Sequence, residues 1–229
     1  MSTRGTGLTL SIGILAAIVG YILWQVTVGF NTKADDIATI LQNSASGSTS
    51  IQIALILIAV GLVVHAAGLI NTRGTAASTS ETLGIICIIS AIVMWIATSG
   101  LGAALAEMGE KYVAASAGAA AGDAASVAAV GGMQIAAGFI QATSVASGNI
   151  GALLAGIGWL FIGIAYLRKG ASLALLGWLS VVQGLILIVS ILIISTAVSV
   201  DTAQQINGIG FLLITVWSVI RGVQLINSK

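Results

Sequence analysis

Apolar residues in this chain do not alternate with polar ones; they run together in blocks long enough to cross a bilayer. About 20 apolar residues rising ~1.5 Å each traverse the ~30 Å hydrocarbon layer, and such a block must be helical because lipid cannot satisfy exposed backbone groups. Six blocks meet this test, at residues 8–30, 51–70, 83–106, 150–167, 173–198 and 206–226. The first has no small-residue cleavage site and no prompt polar sequel, so it reads as a retained span rather than a cleaved signal peptide. The pattern predicts an all-α fold, a polytopic helical membrane bundle with six transmembrane helices in a single domain, residues 1–229.

Between the third and fourth blocks the character changes. Residues 107–149 are rich in Ala, Gly and Ser, and leucine is missing from Val113 onward. This segment is either a seventh span with a small-residue packing face or a helical hairpin against the bundle, outside or partly inside the bilayer. Basic residues decide between the two, because Lys and Arg collect in cytoplasmic loops and each added span flips every later loop. With six spans and the N-terminus inside, Arg4, Arg73, Arg168, Lys169, Arg221 and Lys229 share the inner side, leaving Lys33 and Lys111 outside. The acids Asp35, Asp36, Glu107, Glu110, Asp123 and Asp201 then lie outside, and Glu81 inside. A spanning 124–147 segment would export Arg168 and Lys169 and break the asymmetry. The expectation is therefore a multi-pass protein of the cell membrane, both termini cytoplasmic, with an outer small-residue helical segment.

Composition agrees. The chain is 58% hydrophobic and 7% charged with net charge +1, against about 25% charged in soluble domains. That excludes an ordinary soluble enzyme, a disordered chain and a nucleic-acid binder, which would need a basic footprint. Cys87 is the one cysteine, so no intrachain disulfide can form.

Helices already in lipid associate through close backbone approach at small residues and through interhelical hydrogen bonds. The 29 glycines supply candidates. Gly13 with Ala17, Ala16 with Gly20, Gly118 with Gly122, and Gly148 with Ala152 and Gly156 recur four apart. Gly170, Gly177 and Gly184 recur every seven. Such spacings share a helix face. Proline, a common device for breaking transporter helices, is absent. The five tryptophans, Trp24, Trp95, Trp159, Trp178 and Trp217, read as interfacial or lipid-facing anchors.

Ionisable groups inside a membrane are functional candidates by default, and here they are scarce. His65 lies in the second span, suited to an interhelical contact, a proton relay or a metal. No second histidine exists to join it in a two-histidine site. Cys87, Met94, Met108 and Met133 offer no ligand spacing for soft copper, and neither a serine nor an aspartyl intramembrane protease finds its residues. No cofactor or metal is expected. Glu107 and Glu110, three apart on one helix face, suit cation binding, partner docking or a solvated helix end with a local ion pair. Asp35 and Asp36 mark a solvated loop or a helix start, and Arg221 is placed to snorkel to the inner interface. Gln25, Gln134, Gln141 and Gln183 line a polar path or bridge helices. His65, Glu107, Glu110 and Gln183 are the polar residues singled out.

The order of these parts resembles a family of bacterial and archaeal multi-pass membrane proteins, domain of unknown function 4386. The acidic stretch with its Tyr-Val step is similar to Glu110, Lys111, Tyr112 and Val113. The Gly- and Leu-rich span with its Tyr-Leu and basic turn is similar to Gly156 to Lys169. A Leu-Ser-x-x-x-Gly-like helix is similar to Leu179, Ser180 and Gly184, and a closing Trp span with Arg-Gly resembles Trp217, Arg221 and Gly222. Where the family usually has Pro after the basic turn, this chain has Gly170 and Ala171. The resemblance implies a helical bundle and carries no activity or site.

The leading expectation is a non-catalytic structural or accessory subunit of a membrane assembly or homo-oligomer, motivated by the small-residue faces and the dearth of intramembrane charge. The alternative is a channel or carrier for a small solute, and an enzyme ranks last. The expected partners are the lipid bilayer and protein subunits or further copies of the chain, with no nucleic acid.

Overall fold

A computed structural model describes residues 2–228; Met1 and Lys229, the last of the inner-side cations counted above, lie outside the described residues. The described residues form an all-α bundle without strands, and six of its helices are long and apolar enough to cross a membrane. The chain is thus a multi-pass membrane protein. Its elements are α1 (Thr3–Val28), α2 (Ile37–Ser46), α3 (Ser48–Asn71), α4 (Thr79–Ala120), α5 (Ala124–Lys169), α6 (Ala171–Ala197) and α7 (Val200–Asn227).

Local chemistry sets the helix starts. The Ser2, Asp36, Ser78, Asp123 and Ser199 side chains each accept from the backbone N–H three residues on, at 2.9–3.2 Å, satisfying donors a helix leaves open. Of the two readings of the Asp35–Asp36 loop, Asp36 takes the helix start, as the cap of α2. Glu81 completes a wider version of the Ser-x-x-Glu box. Its buried carboxylate accepts from the N–H groups of Gly74, Ala76 and Ala77 at 2.9, 3.1 and 3.2 Å, closing the α3–α4 loop.

Glycines set the packing. Neighbouring helices run antiparallel and meet where a Cβ would collide with the partner's backbone. Gly13 and Gly61 join α1 to α3, Gly84 and Gly158 join α4 to α5, and Gly156 and Gly184 join α5 to α6. Gly7 against Gly222 places the start of α1 beside the end of α7, so both ends of the described chain lie at one end of the bundle. Of the seven-spaced glycines, Gly177 and Gly184 meet α5, while Gly170 sits in the turn after it with φ 115°.

The segment 107–149 is helical, and it is continuous with the third and fourth spans. α4 has 42 residues and α5 has 46, about 63 and 69 Å at 1.5 Å per residue, so at least ~30 Å of each extends past the hydrocarbon layer. Their tips turn at Ala121 to Asp123, where Gly122 adopts φ 84°. α2 braces this extension. Gly109 meets the backbone of Leu41 and Ala45, Asn43 Nδ2 donates to the Val28 carbonyl at 2.7 Å, and Gln134 Nε2 donates to the Tyr112 hydroxyl at 3.0 Å across the hairpin. α6 carries a π-helical stretch at Ser190–Ile194, where the Ser190 hydroxyl donates to Asn207 Oδ1 of α7.

The reading of the tryptophans needs correction. Trp159 and Trp217 are fully buried, edge to face with ring centroids 4.7 Å apart, and Tyr166 lies 6.0 Å from Trp217. Trp217 Nε1 donates to the Leu176 carbonyl at 3.0 Å. Both rings sit mid-span, where no interface exists to anchor, and they plug the gap among α5, α6 and α7. Trp178, 60% exposed, keeps the lipid-facing role.

Candidate functional site: a cavity inside the bundle

Five helices, α1, α3, α4, α5 and α7, enclose a cavity of about 250 Å³. Its residues occupy the hairpin-side half of α1 and of α7, so it runs from that end toward mid-bundle. Gln25, Thr98, Gln141, Ser144 and Gln204 line the end nearest the hairpin. Below them comes an aromatic collar. Phe211 packs edge-on against Trp95 at 5.0 Å and Tyr21 at 6.1 Å, and Tyr21 stacks on Trp24 at 6.4 Å. Deeper walls are aliphatic, among them Ile14, Leu62, Ile88 and Ile214, and the floor is His65 and Trp159.

The electrostatics are simple. No Asp, Glu, Lys or Arg lines the cavity among the described residues. Neutral amides and hydroxyls stand at the mouth, which suits a solute that sheds its water without carrying a net charge.

At the floor His65 is 1% exposed and Trp159 fully buried. His65 Nδ1 lies 3.0 Å from the Leu10 carbonyl oxygen, whereas His65 Nε2 and Trp159 Nε1 have no hydrogen-bond partner. Because a carbonyl can only accept, Nδ1 carries the proton, and a neutral ring then presents a lone pair at Nε2. Buried polar atoms are normally paired, so two orphans on one cavity floor are a specific feature.

The other residues singled out by sequence lie elsewhere. Gln183 is fully buried on α6, away from the cavity, with neither amide atom hydrogen-bonded among the described residues. Glu107 and Glu110 are exposed on the hairpin extension. Lys111 pairs with Glu107 at 2.7 Å and holds its carboxyl below the ordinary range, a solvated i,i+4 pair of small energetic weight. Of the glutamines, Gln25 and Gln141 face the cavity, and Gln134 bridges the hairpin. Arg221 donates to Thr75 Oγ1 at 3.1 Å, fastening α7 to the loop that Glu81 closes.

Trp159 was missed as a site residue, and its depth is the signal that could have found it. A tryptophan just after Gly156 and Gly158, nine residues from one end of its block and eight from the other, is too deep for the interfacial belt.

No family model matches this chain, and neither does any curated protein or any solved structure. Fold and cavity together define a multi-pass helical membrane protein with an internal, uncharged chamber.

Proposed function

We propose that the protein binds a small uncharged solute within the membrane and serves as a carrier or receptor for it, without catalysing a reaction. The single observation that carries this reading is the cavity, with its neutral mouth, aromatic collar and aliphatic walls. The small-residue faces that motivated a purely structural role are largely spent within the chain, at the glycine contacts of α1, α3, α4, α5 and α6. The distribution of basic residues supports a cell-membrane protein with cytoplasmic termini. The hairpin and the cavity mouth then face outward. The likeness to domain of unknown function 4386 is retained as part of this proposal and supplies no residue to it.

The test is a screen of small neutral solutes by thermal unfolding in mild detergent. A ligand that binds the native state raises Tm with concentration. The shift is expected to vanish in Ala152→Phe, since Ala152 is buried and lines the cavity. A shift that survives the filled cavity, or no shift with any solute, contradicts the reading.

A second reading, an accessory subunit, keeps one observation of its own. Ile135 and Phe139 are 73% and 78% exposed on α5. Phe139 stands thirty residues before Lys169, about 45 Å along the helix and so past the hydrocarbon layer. Apolar side chains held out in water suit a protein partner. A complex of defined size in mild detergent that Phe139→Ser disperses supports this role, and a strictly monomeric particle removes it.

A further inference from the structure

Resting on the solute-binding reading, we infer that the solute is a neutral amphiphile with a single head, held tail-down: its hydrogen-bonding head stays at the mouth and its apolar chain fills the depth. The gradient of polarity along the cavity carries this inference. Gln25 stands three residues before the end of α1 and Gln204 four residues after the start of α7, so both line the hairpin end. Ile14 and Ile214, on the same two helices, are eleven and ten residues further in, about 15 Å at 1.5 Å per residue. The mouth residues Gln25, Gln141, Ser144 and Gln204 are half-buried, and their amides and hydroxyl include both donors and acceptors. The deep walls of Ile14, Leu62, Ile88 and Ile214 offer neither. At the floor, His65 Nε2 and Trp159 Nε1 have less than 1 Å² of accessible surface each, so a polar end gains no partner by going deep. A sugar or other polyol would press unmatched hydroxyls against those walls. A carboxylate or ammonium group meets no opposite charge anywhere in the lining, and a pure hydrocarbon takes nothing from the mouth amides. The volume of about 250 Å³ lies below the range for drug-sized ligands, which keeps the chain short.

The probes are straight-chain primary alcohols of increasing length, with hexane-1,6-diol and hexanoate for comparison, titrated by calorimetry into the full chain in mild detergent. Ala152→Phe, which fills the cavity, is the blank for partition into the micelle. Each methylene buried should tighten binding about fourfold until the chain reaches the end of the cavity, where the gain stops. Hexane-1,6-diol, which must bury its second hydroxyl among the deep aliphatic walls, and charged hexanoate should each bind at least tenfold more weakly than hexan-1-ol. Two further variants separate head from tail. Leu62→Ala, or the milder Leu62→Val, deepens the apolar end and should move the length limit to a longer alcohol. Gln141→Leu combined with Gln204→Leu should weaken every alcohol severalfold and leave the length limit where it was. Elution volume verifies that each variant is folded. A diol bound as tightly as hexan-1-ol, tighter binding of hexanoate, or a length limit unmoved in both folded Leu62 variants overturns the tail-down assignment. Alcohols that bind no better than to the blank overturn it alone if another neutral solute raises Tm in the screen above, and together with the solute-binding reading if none does.

Discussion

Gly13 and Gly61 face each other so closely between α1 and α3 that a Cβ built on either would stand 2.7 Å from the other's carbonyl oxygen. The obstacle is backbone on both sides, so no side chain can turn away to make room. Gly61→Leu should therefore destabilise the bundle by about 1–3 kcal/mol or more, read as the unfolding midpoint in mild detergent. Gly100→Ala, where nothing lies within 4 Å of the new methyl, should be neutral or stabilising by up to about 1 kcal/mol, since alanine is the better helix former. Equal effects at the two positions would remove α1–α3 backbone contact as a determinant of the fold.

The two kinds of tryptophan should separate as sharply. Trp217→Ala removes a fully buried ring and its bond to the Leu176 carbonyl, and should cost about 3–5 kcal/mol. Trp178→Ala on the lipid-facing side should change little. Denaturant unfolding of both variants checks this, and a severe Trp178→Ala beside a mild Trp217→Ala would restore the belt reading for both.

The loop that Glu81 closes depends on one carboxylate serving three backbone donors. Glu81→Leu leaves the N–H groups of Gly74, Ala76 and Ala77 without that acceptor, a loss of about 1–3 kcal/mol if they stay buried. Faster amide exchange confined to Arg73 through Ser78 is the expected signature. Exchange unchanged there would show that the loop is held by Arg221 and Thr75 instead.

At the hairpin tip, the Ser126 hydroxyl, 2.5 Å from Asp123 Oδ2, and the Ser126 N–H, at 2.9 Å, hold the Asp123 carboxyl below its ordinary value of 3.8. A carboxyl depressed in the folded state stabilises it above the unfolded value and loses that contribution as pH falls through the folded value. Amide exchange of Ser126 and Val127 should therefore accelerate at acid pH below 3.8, beyond the intrinsic pH trend of exchange. Asp123→Asn should flatten this extra dependence, since a neutral amide still caps the helix. A dependence unaltered in Asp123→Asn would assign it to another acid.

How much of this could be read from residue order follows from what lipid does to pattern. The spans were legible because a bilayer demands unbroken apolar runs, and Ile51 to Ile70 needs no further context. The inward faces were less so. With lipid outside and protein inside, both sides of a helix are apolar, and polarity no longer marks the buried side. Gly13, Gly156 and Gly184 carried that information through size instead. His65 stood out as a lone intramembrane ionisable group, yet its floor partner Trp159 looked like an anchor. The cavity is a gap between five helices, set by crossing geometry and by which side chains fall short of one another, and neither Ile88 nor Ile214 announces that it borders that gap.

Accessibility of Ser99, a cavity-lining residue on α4 that is 8% exposed, tests the central claim most directly. With Cys87 replaced by Ser, Ser99→Cys should react with a small membrane-impermeant thiol reagent added outside intact cells, and a solute that raises Tm in the screen should slow that reaction. Arg73→Cys, on the exposed α3–α4 loop at the opposite end, should react only after the cells are opened. A silent Ser99→Cys, or an Arg73→Cys labelled in intact cells, would contradict an outward-facing chamber in a six-helix bundle.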